Sequence, residues 1–292
     1  MSTEDRNPRT TDIDRWPTDQ VVDAVLAEDA MAIEAARAAG PSLAKAIEAA
    51  LPRLRSGGRV HYFGAGASGR LAVLDATEAT PTFGVPPGLF TPHFPGGAAA
   101  FADSSLDFED ARTAGHDDAA AVGSDDVAVG ITASGATRYV AGALDRARAA
   151  GALTVLMTST AGAPLAADVH VVAETGPEAV TGSTRLKAGT ATKVLLNAFS
   201  TALMVRSGRT YSNLMVNLVA TNEKLVARAV RVVEMATGLG PDESAAVLTG
   251  AGGEVPLALV HALSGRPLDE CRTALAGGGV RAALANLAGD AG

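Results

Sequence analysis

From residue 18 to about residue 55 the apolar side chains recur at three- and four-residue intervals, and Gly40-Pro41 interrupts them. This pattern predicts two consecutive helices. The texture then changes. Short apolar and β-branched runs occupy residues 59–63, 89–94, 127–132, 153–158 and 169–173, each followed by a Gly-, Ser- or Thr-rich loop and a helical stretch. Strands buried on both faces read as continuous apolar runs, so the alternation predicts an α/β fold: a parallel five-stranded sheet with helices on both faces. Helical spacing resumes at 185–206 and again at 213–236. A boundary is expected at 238–241. Three short Ala/Leu-rich helical stretches are expected across 242–288, with breaks at Gly252-Gly253, Gly265-Arg266-Pro267 and Gly277-Gly278-Gly279. The domain reading is a flexible polar arm (1–19), a main domain (20–240) and a small helical unit (241–292).

Composition narrows the function. Hydrophobic residues make up 47% of the 292 residues while aromatics are only 4%, so the core is built from Ala, Val and Leu. A net charge of −8 argues against a general nucleic-acid or anionic-membrane surface while leaving room for a local anion pocket. Cys271 is the only cysteine, which excludes an internal disulfide and a thiolate metal cluster. Residues 1–19 carry no apolar leader stretch, and the longest uncharged run, 149–167, contains Gly151, Gly162 and Pro164 and reads as strand plus loop. The expectation is a cytoplasmic protein without a membrane segment.

Three loops carry candidate chemistry. Gly64-Ala65-Gly66-Ala67-Ser68-Gly69-Arg70 follows the first strand and opens a helix, where free N–H groups and the helix dipole favour an anion. Its glycines satisfy the GxGxxG dinucleotide fingerprint, but the second strand ends Pro92-His93-Phe94-Pro95, without the acidic residue that would hold a ribose. Thr132-Ala133-Ser134-Gly135-Ala136-Thr137 repeats the arrangement after the third strand, and Thr181-Gly182-Ser183-Thr184-Arg185-Leu186-Lys187 adds hydroxyls and two cations at a further helix start. Any one of Ser68, Ser134 and Ser183 could serve only as a helix cap. Together, each after a strand, they favour a phosphate site formed by Ser68, Thr132, Ser134, Thr137, Ser183 and Lys187.

The order GAGASGR, DATEATPTFG, GIxASG, GPEAVTGSTRLKAGTATK and NLMVNLVATNEKL, over about residues 10 to 285, resembles the N-acetylmuramic acid 6-phosphate etherases. The resemblance implies the SIS (sugar isomerase) fold, a homodimer, and a C-terminal three-helix unit like a ubiquitin-associated domain. It implies cleavage of the lactyl ether of N-acetylmuramic acid 6-phosphate to N-acetylglucosamine 6-phosphate and D-lactate, in cell-wall recycling, with no cofactor. It assigns Ser68, Ser134 and Thr137 to the phosphate, with Thr132 beside them. It makes Glu78 the proton donor to departing lactate and Glu109 the other acid/base group, the base at C2. The chain departs from the family at several points: Ala136-Thr137-Arg138-Tyr139 stands for Arg-Thr-Pro-Tyr, Ala79-Thr80 for Cys-Pro, and Asn217 for Asp; residues 96–107 are atypical.

Elimination across C2–C3 of the open-chain sugar needs two proton-transfer groups and no metal. The histidines, His61, His93, His116, His170 and His261, show no ligand spacing. Two alternatives share the fold. A phosphosugar-binding regulator, resembling glucokinase regulatory protein, would need the loops but neither glutamate. A phosphosugar isomerase would need an acid/base group but not the TGSTRLKAGT stretch.

Overall fold

The computed structural model describes residues 2–103, 105–218 and 223–289. The chain divides into two compact units, Met1–Thr77 with Gly88–Ser200, and Glu78–Pro87 with Thr201–Gly292.

The first unit is built on the five expected strands: β1 (Val60–Gly64), β2 (Phe90–His93), β3 (Val127–Ile131), β4 (Leu153–Thr158) and β5 (Val169–Val172). All neighbours are parallel, in the order β2-β1-β3-β4-β5. Every residue of β1, β3 and β4 is buried, which is why these strands read as unbroken apolar runs. At the edge, β5 exposes His170 between buried Val169 and Val171. The helices of this unit are α1 (Thr18–Ala38), α2 (Gly40–Arg55), α3 (Gly66–Phe83), α4 (Gly97–Ala102), α5 (Arg112–Asp118), α6 (Arg138–Ala149) and α7 (Lys187–Arg206). Helix α2 packs on β4 and β5, and α6 on β1, β3 and β4. The division between units falls within α3 and α7.

A buried carboxylate ties sheet to helices. Asp75 accepts hydrogen bonds from the Tyr62 hydroxyl (2.9 Å), the Asn197 amide (2.8 Å) and the Ser200 hydroxyl (3.0 Å), joining β1, α3 and α7. A buried polar group needs such partners to avoid its desolvation cost.

The N-terminal residues are not a free arm. A short 3-10 turn, Pro8–Thr10, is docked on the loop before α7: the Asn7 amide donates to the Pro177 carbonyl (3.3 Å) and the Thr10 hydroxyl to the Ala179 carbonyl (2.8 Å). Arg9 forms a forked pair with Glu28, at 2.6 and 2.9 Å. Polar composition suggests solvation, but these side chains find carbonyl and carboxylate partners that sequence order does not reveal.

In the second unit, residues 213–218 are not helical, contrary to the spacing at 213–236. β6 (Thr210–Tyr211) and β7 (Leu214–Met215) form an antiparallel hairpin closed at Ser212, whose φ is 52°. The Asn217 amide donates to the Arg209 carbonyl (3.0 Å) and fixes the returning chain. The helix itself, α8, spans Glu223–Thr237; Ala220, Thr221 and Asn222 of the ATNEKL stretch lie outside the described residues. Four helices follow, one more than expected: α9 (Pro241–Gly250), α10 (Val255–Ser264), α11 (Leu268–Leu275) and α12 (Val280–Gly289). The three glycine breaks bound four segments. Helices α10, α11 and α12 pack on one another, while α9 packs on α8 and α10. Val232, Val233, Leu248, Leu257, Leu259, Cys271 and Val280 fill their shared core.

Among the described residues no single helix is long and apolar enough to cross a membrane.

Candidate active site

Gly64 at the end of β1 pairs with Ile131 at the end of β3, so the loops that follow leave the sheet side by side. The chain reverses its direction of winding between these strands, the point at which open α/β sheets bind ligands.

The first loop turns into α3 at Gly66, whose φ is 54°. Gly69 follows with its back against the loop: a Cβ there would lie 2.3 Å from the Gly64 carbonyl oxygen. The glycines of the GxGxxG pattern are thus accounted for by a tight strand-to-helix turn, without a dinucleotide. Ser68 sits half-buried in the first turn of α3.

In the second loop the hydroxyls converge. Thr132 Oγ1 lies 2.8 Å from Thr137 Oγ1 and 3.3 Å from Ser134 Oγ, and accepts from the Gly135 N–H at 3.2 Å. Ser134 Oγ accepts from the Ala136 N–H at 3.3 Å. Thr137 stands at the N-cap of α6 but makes no capping bond with its side chain; its hydroxyl is turned to Thr132 instead. Behind the loop, the Thr158 hydroxyl (3.1 Å), the Thr160 hydroxyl (3.0 Å) and the Ser159 N–H (3.1 Å) all donate to the Ala133 carbonyl. Sequence reading missed Thr158 and Thr160; a threonine at the end of a strand gives no signal of the carbonyl it will meet.

Glu109 joins the two loops. Its backbone carbonyl accepts from the Tyr139 N–H at the start of α6 (2.9 Å), and its N–H donates to Asp107 (2.9 Å). Its carboxylate reaches the first loop: Oε1 lies 3.3 Å from where a Cβ on Gly66 would stand. Burial, and then the charges of Asp107 and Asp110, push this carboxyl up from its ordinary value. It lines a pocket of about 310 Å³ together with Gly66, Arg70, Phe94, Leu106 and Phe108. A carboxylate on the rim of a pocket, its pKa raised by partial burial and by neighbouring acids, suits a proton acceptor.

Glu78 lies on α3 with its side chain exposed, and its carbonyl accepts from the Thr82 hydroxyl at 2.7 Å.

The third loop differs from expectation. The N-terminus of α7 is already capped by a protein carboxylate: Glu178, fully buried, accepts from the N–H groups of Lys187 and Ala188, both at 2.9 Å. Lys187 is a correction. Its ammonium is wholly buried, bonded to Glu28 (2.6 Å) and the Pro177 carbonyl (2.8 Å), and so holds the fold together rather than a ligand. Burial alone would raise the Glu28 carboxyl, but hydrogen bonds from Arg9, Lys187 and Asn7 bring it down to about 2. Ser183 is half-buried in the preceding turn, its N–H bonded to the Val180 carbonyl (2.9 Å) and its neighbour Gly182 facing Glu4.

Two histidines form a pair, His61 buried and His93 half-buried. His61 Nδ1 and His93 Nε2 are 3.0 Å apart, with Asp126 3.5 Å from His61 Nε2. Burial, and then the neighbouring His61, hold His93 down at about 4; burial also lowers His61, though Asp126 opposes this. Among the described residues no group of three or more His, Cys, Asp or Glu side chains could hold a metal.

Parallel sheet, switch-point loops and clustered hydroxyls define the class: an SIS-domain protein. The chain matches the glucokinase regulatory protein N-terminal SIS domain over residues 42–148 and the SIS domain over residues 101–202. Relatives span nearly its whole length. It is 52% identical over 264 residues to the N-acetylmuramic acid 6-phosphate etherase of Thermobifida fusca, covering 90% of this chain and 87% of that one. It is 48% identical to that of Rubrobacter xylanophilus (97% and 96% covered) and 49% identical to that of Deinococcus radiodurans (95% and 92% covered). The chain belongs to the N-acetylmuramic acid 6-phosphate etherase family.

Proposed function

We propose that this protein is a carbon–oxygen lyase that cleaves the lactyl ether of N-acetylmuramic acid 6-phosphate, releasing D-lactate and leaving N-acetylglucosamine 6-phosphate, in cytoplasmic cell-wall recycling. The observation that carries the reading is Glu109, a carboxylate of raised pKa held between the glycine-rich first loop and the hydroxyl-rich second loop at the sheet's switch point. Thr132, Ser134 and Thr137, with Ser68, bind the phosphate; Ser183 contributes from the third loop. Glu109 takes the C2 proton, which the C1 aldehyde acidifies. The C2–H electron pair passes first into an enolate on the C1 oxygen; that pair then returns to form the C2=C3 double bond as the C3–O pair leaves on the lactate oxygen, which Glu78 protonates. Water then adds at C3, and a proton returns to C2.

Mixing the protein with N-acetylmuramic acid 6-phosphate and assaying lactate tests the reading. In heavy-oxygen water the label should enter the sugar at C3; label in lactate would instead mean attack on the lactyl carbon. The protein is proposed to act as a homodimer. Helix α1 supports this with an apolar face, since Val22, Leu26 and Ile33 are 50%, 64% and 45% exposed. Sedimentation as a monomer at micromolar concentration would exclude it.

A further inference from the structure

The segment from Phe94 to Phe108, which leads from β2 towards Glu109, is stitched to the first glycine-rich loop. A Cβ on Gly69 would lie 2.6 Å from the Phe94 ring. Gly96, with φ 78°, backs onto Phe108, where a Cβ would lie 2.4 Å from the ring. Between these points stands Arg70. Its Nε donates to the Phe101 carbonyl and its Nη2 to the Ala100 carbonyl, both at 3.1 Å. Its guanidinium carbon is 5.4 Å from the Phe94 ring centre and 5.8 Å from that of Phe101, and the two rings meet edge to face at 5.5 Å. The carbonyls are among those that the last turn of α4 leaves without an intrahelical partner. A planar fork that donates along two directions while lying against aromatic faces is a property of arginine that lysine lacks.

We propose that Arg70 is a positioning residue: it clips the 94–108 segment over the pocket and thereby sets the Glu109 carboxylate against Gly66. Arg70, Phe94, Ala100, Phe108 and Glu109 all line that pocket, so the clip and the carboxylate share one wall. The arginine acts on the segment, not on the sugar, since its bonded nitrogens are committed to carbonyls. This rests on the reading of Glu109 as the C2 base.

The test is steady-state kinetics of Arg70→Ala and Arg70→Lys on N-acetylmuramic acid 6-phosphate, with hydrogen exchange of the amides at 95–108. Arg70→Ala should lower kcat by about ten- to a hundredfold, the scale of a misplaced catalytic group, and leave KM nearly unchanged. Exchange at 95–108 should quicken while the melting temperature holds. Arg70→Lys should behave like the alanine variant. Should Arg70→Ala fold poorly, Phe101→Ala removes one stacked ring without touching the loop and should lower kcat in the same direction. A raised KM with kcat retained would overturn the proposal in favour of a direct phosphate contact. Full rescue by lysine would show that charge alone matters, and an unchanged kcat would remove Arg70 from the mechanism. Full activity in Glu109→Gln would sink the base assignment itself, an outcome kept separate because the exchange at 95–108 reports the clip without reference to turnover.

Discussion

At the scale of single residues, the two glutamates differ in what surrounds them, and that difference can be measured. Glu109 is crowded by Asp107 and Asp110 and partly desolvated, which raises its proton affinity. Glu78, on α3, is exposed, as Glu109 is too; the crowding by two acids is what sets Glu109 apart. Glu109→Gln cannot accept a proton, so it should lose both ether cleavage and the exchange of the C2 proton of N-acetylglucosamine 6-phosphate with heavy water. Glu78→Gln should lose cleavage but keep C2 exchange, because proton removal precedes departure of lactate. A general acid or base contributes about 10²–10⁴-fold, and smaller losses would mark bystanders. The reverse exchange pattern would swap the roles. Ser134 makes a different claim: the residue is exposed, its oxygen accepts from the Ala136 N–H and lies beside Thr132, and its own proton can turn to a ligand. Ser134→Ala should raise KM by about ten- to a hundredfold with a smaller change in kcat, the worth of one hydrogen bond to a charged group. Equal affinity for phosphorylated and unphosphorylated sugar would remove the second loop from the phosphate site.

Among the elements, the docking of the N-terminal turn on the loop before α7 makes the clearest energetic statement. Lys187 and Arg9 share the Glu28 carboxylate, and Lys187 is fully buried. Removing one partner of a buried ion pair leaves the other charge uncompensated, a loss of about 3–5 kcal/mol. Because Arg9 still holds Glu28, Lys187→Met should destabilise by somewhat less, about 2–3 kcal/mol in urea unfolding. The double variant with Glu28→Gln should recover part of the loss. Strict additivity would mean that the pair is not coupled. Most of these elements were legible: continuous apolar runs marked β1, β3 and β4, and the glycine breaks fell between the C-terminal helices although three were expected and four form. The hairpin at 210–215 was not, because apolar residues in NLMV match a helical period, and only the left-handed turn at Ser212 and the Asn217–Arg209 bond turn the chain back.

For the whole molecule, the His61–His93 pair, buried at His61 and half-buried at His93, gives stability a pH dependence. Both histidines have folded-state pKa values below their unfolded 6.5, His93 at about 4. Above pH 6.5 both states hold the rings neutral and stability is complete. As pH falls from 6.5 towards 4 the unfolded chain takes up protons that the folded chain refuses, so stability declines, by up to about 3 kcal/mol for His93. Glu28 adds a further loss only below its unfolded 4.5, on the way to about 2. Urea midpoints between pH 7 and 4.5 should fall for the parent and fall less for His93→Gln; parallel curves would refute the histidine term. What the sequence determined by itself was local and periodic: the parallel sheet and the glycine- and hydroxyl-rich loops at strand ends, because strand burial and tight turns are written in neighbouring residues. Tertiary structure alone decided which charges are used internally. Lys187 looked like a ligand cation beside a hydroxyl-rich loop, yet its partner Glu28 lies 159 residues away along the chain. Glu109 took its place between two loops only when Gly66 and Tyr139, distant in sequence, were brought against it; burial is the first cause of its raised carboxyl, and its sequence neighbours Asp107 and Asp110 add to it. Long-range desolvation and pairing leave no periodic mark on a sequence, and these are the forces that distinguish a buried structural ion from one left facing a pocket.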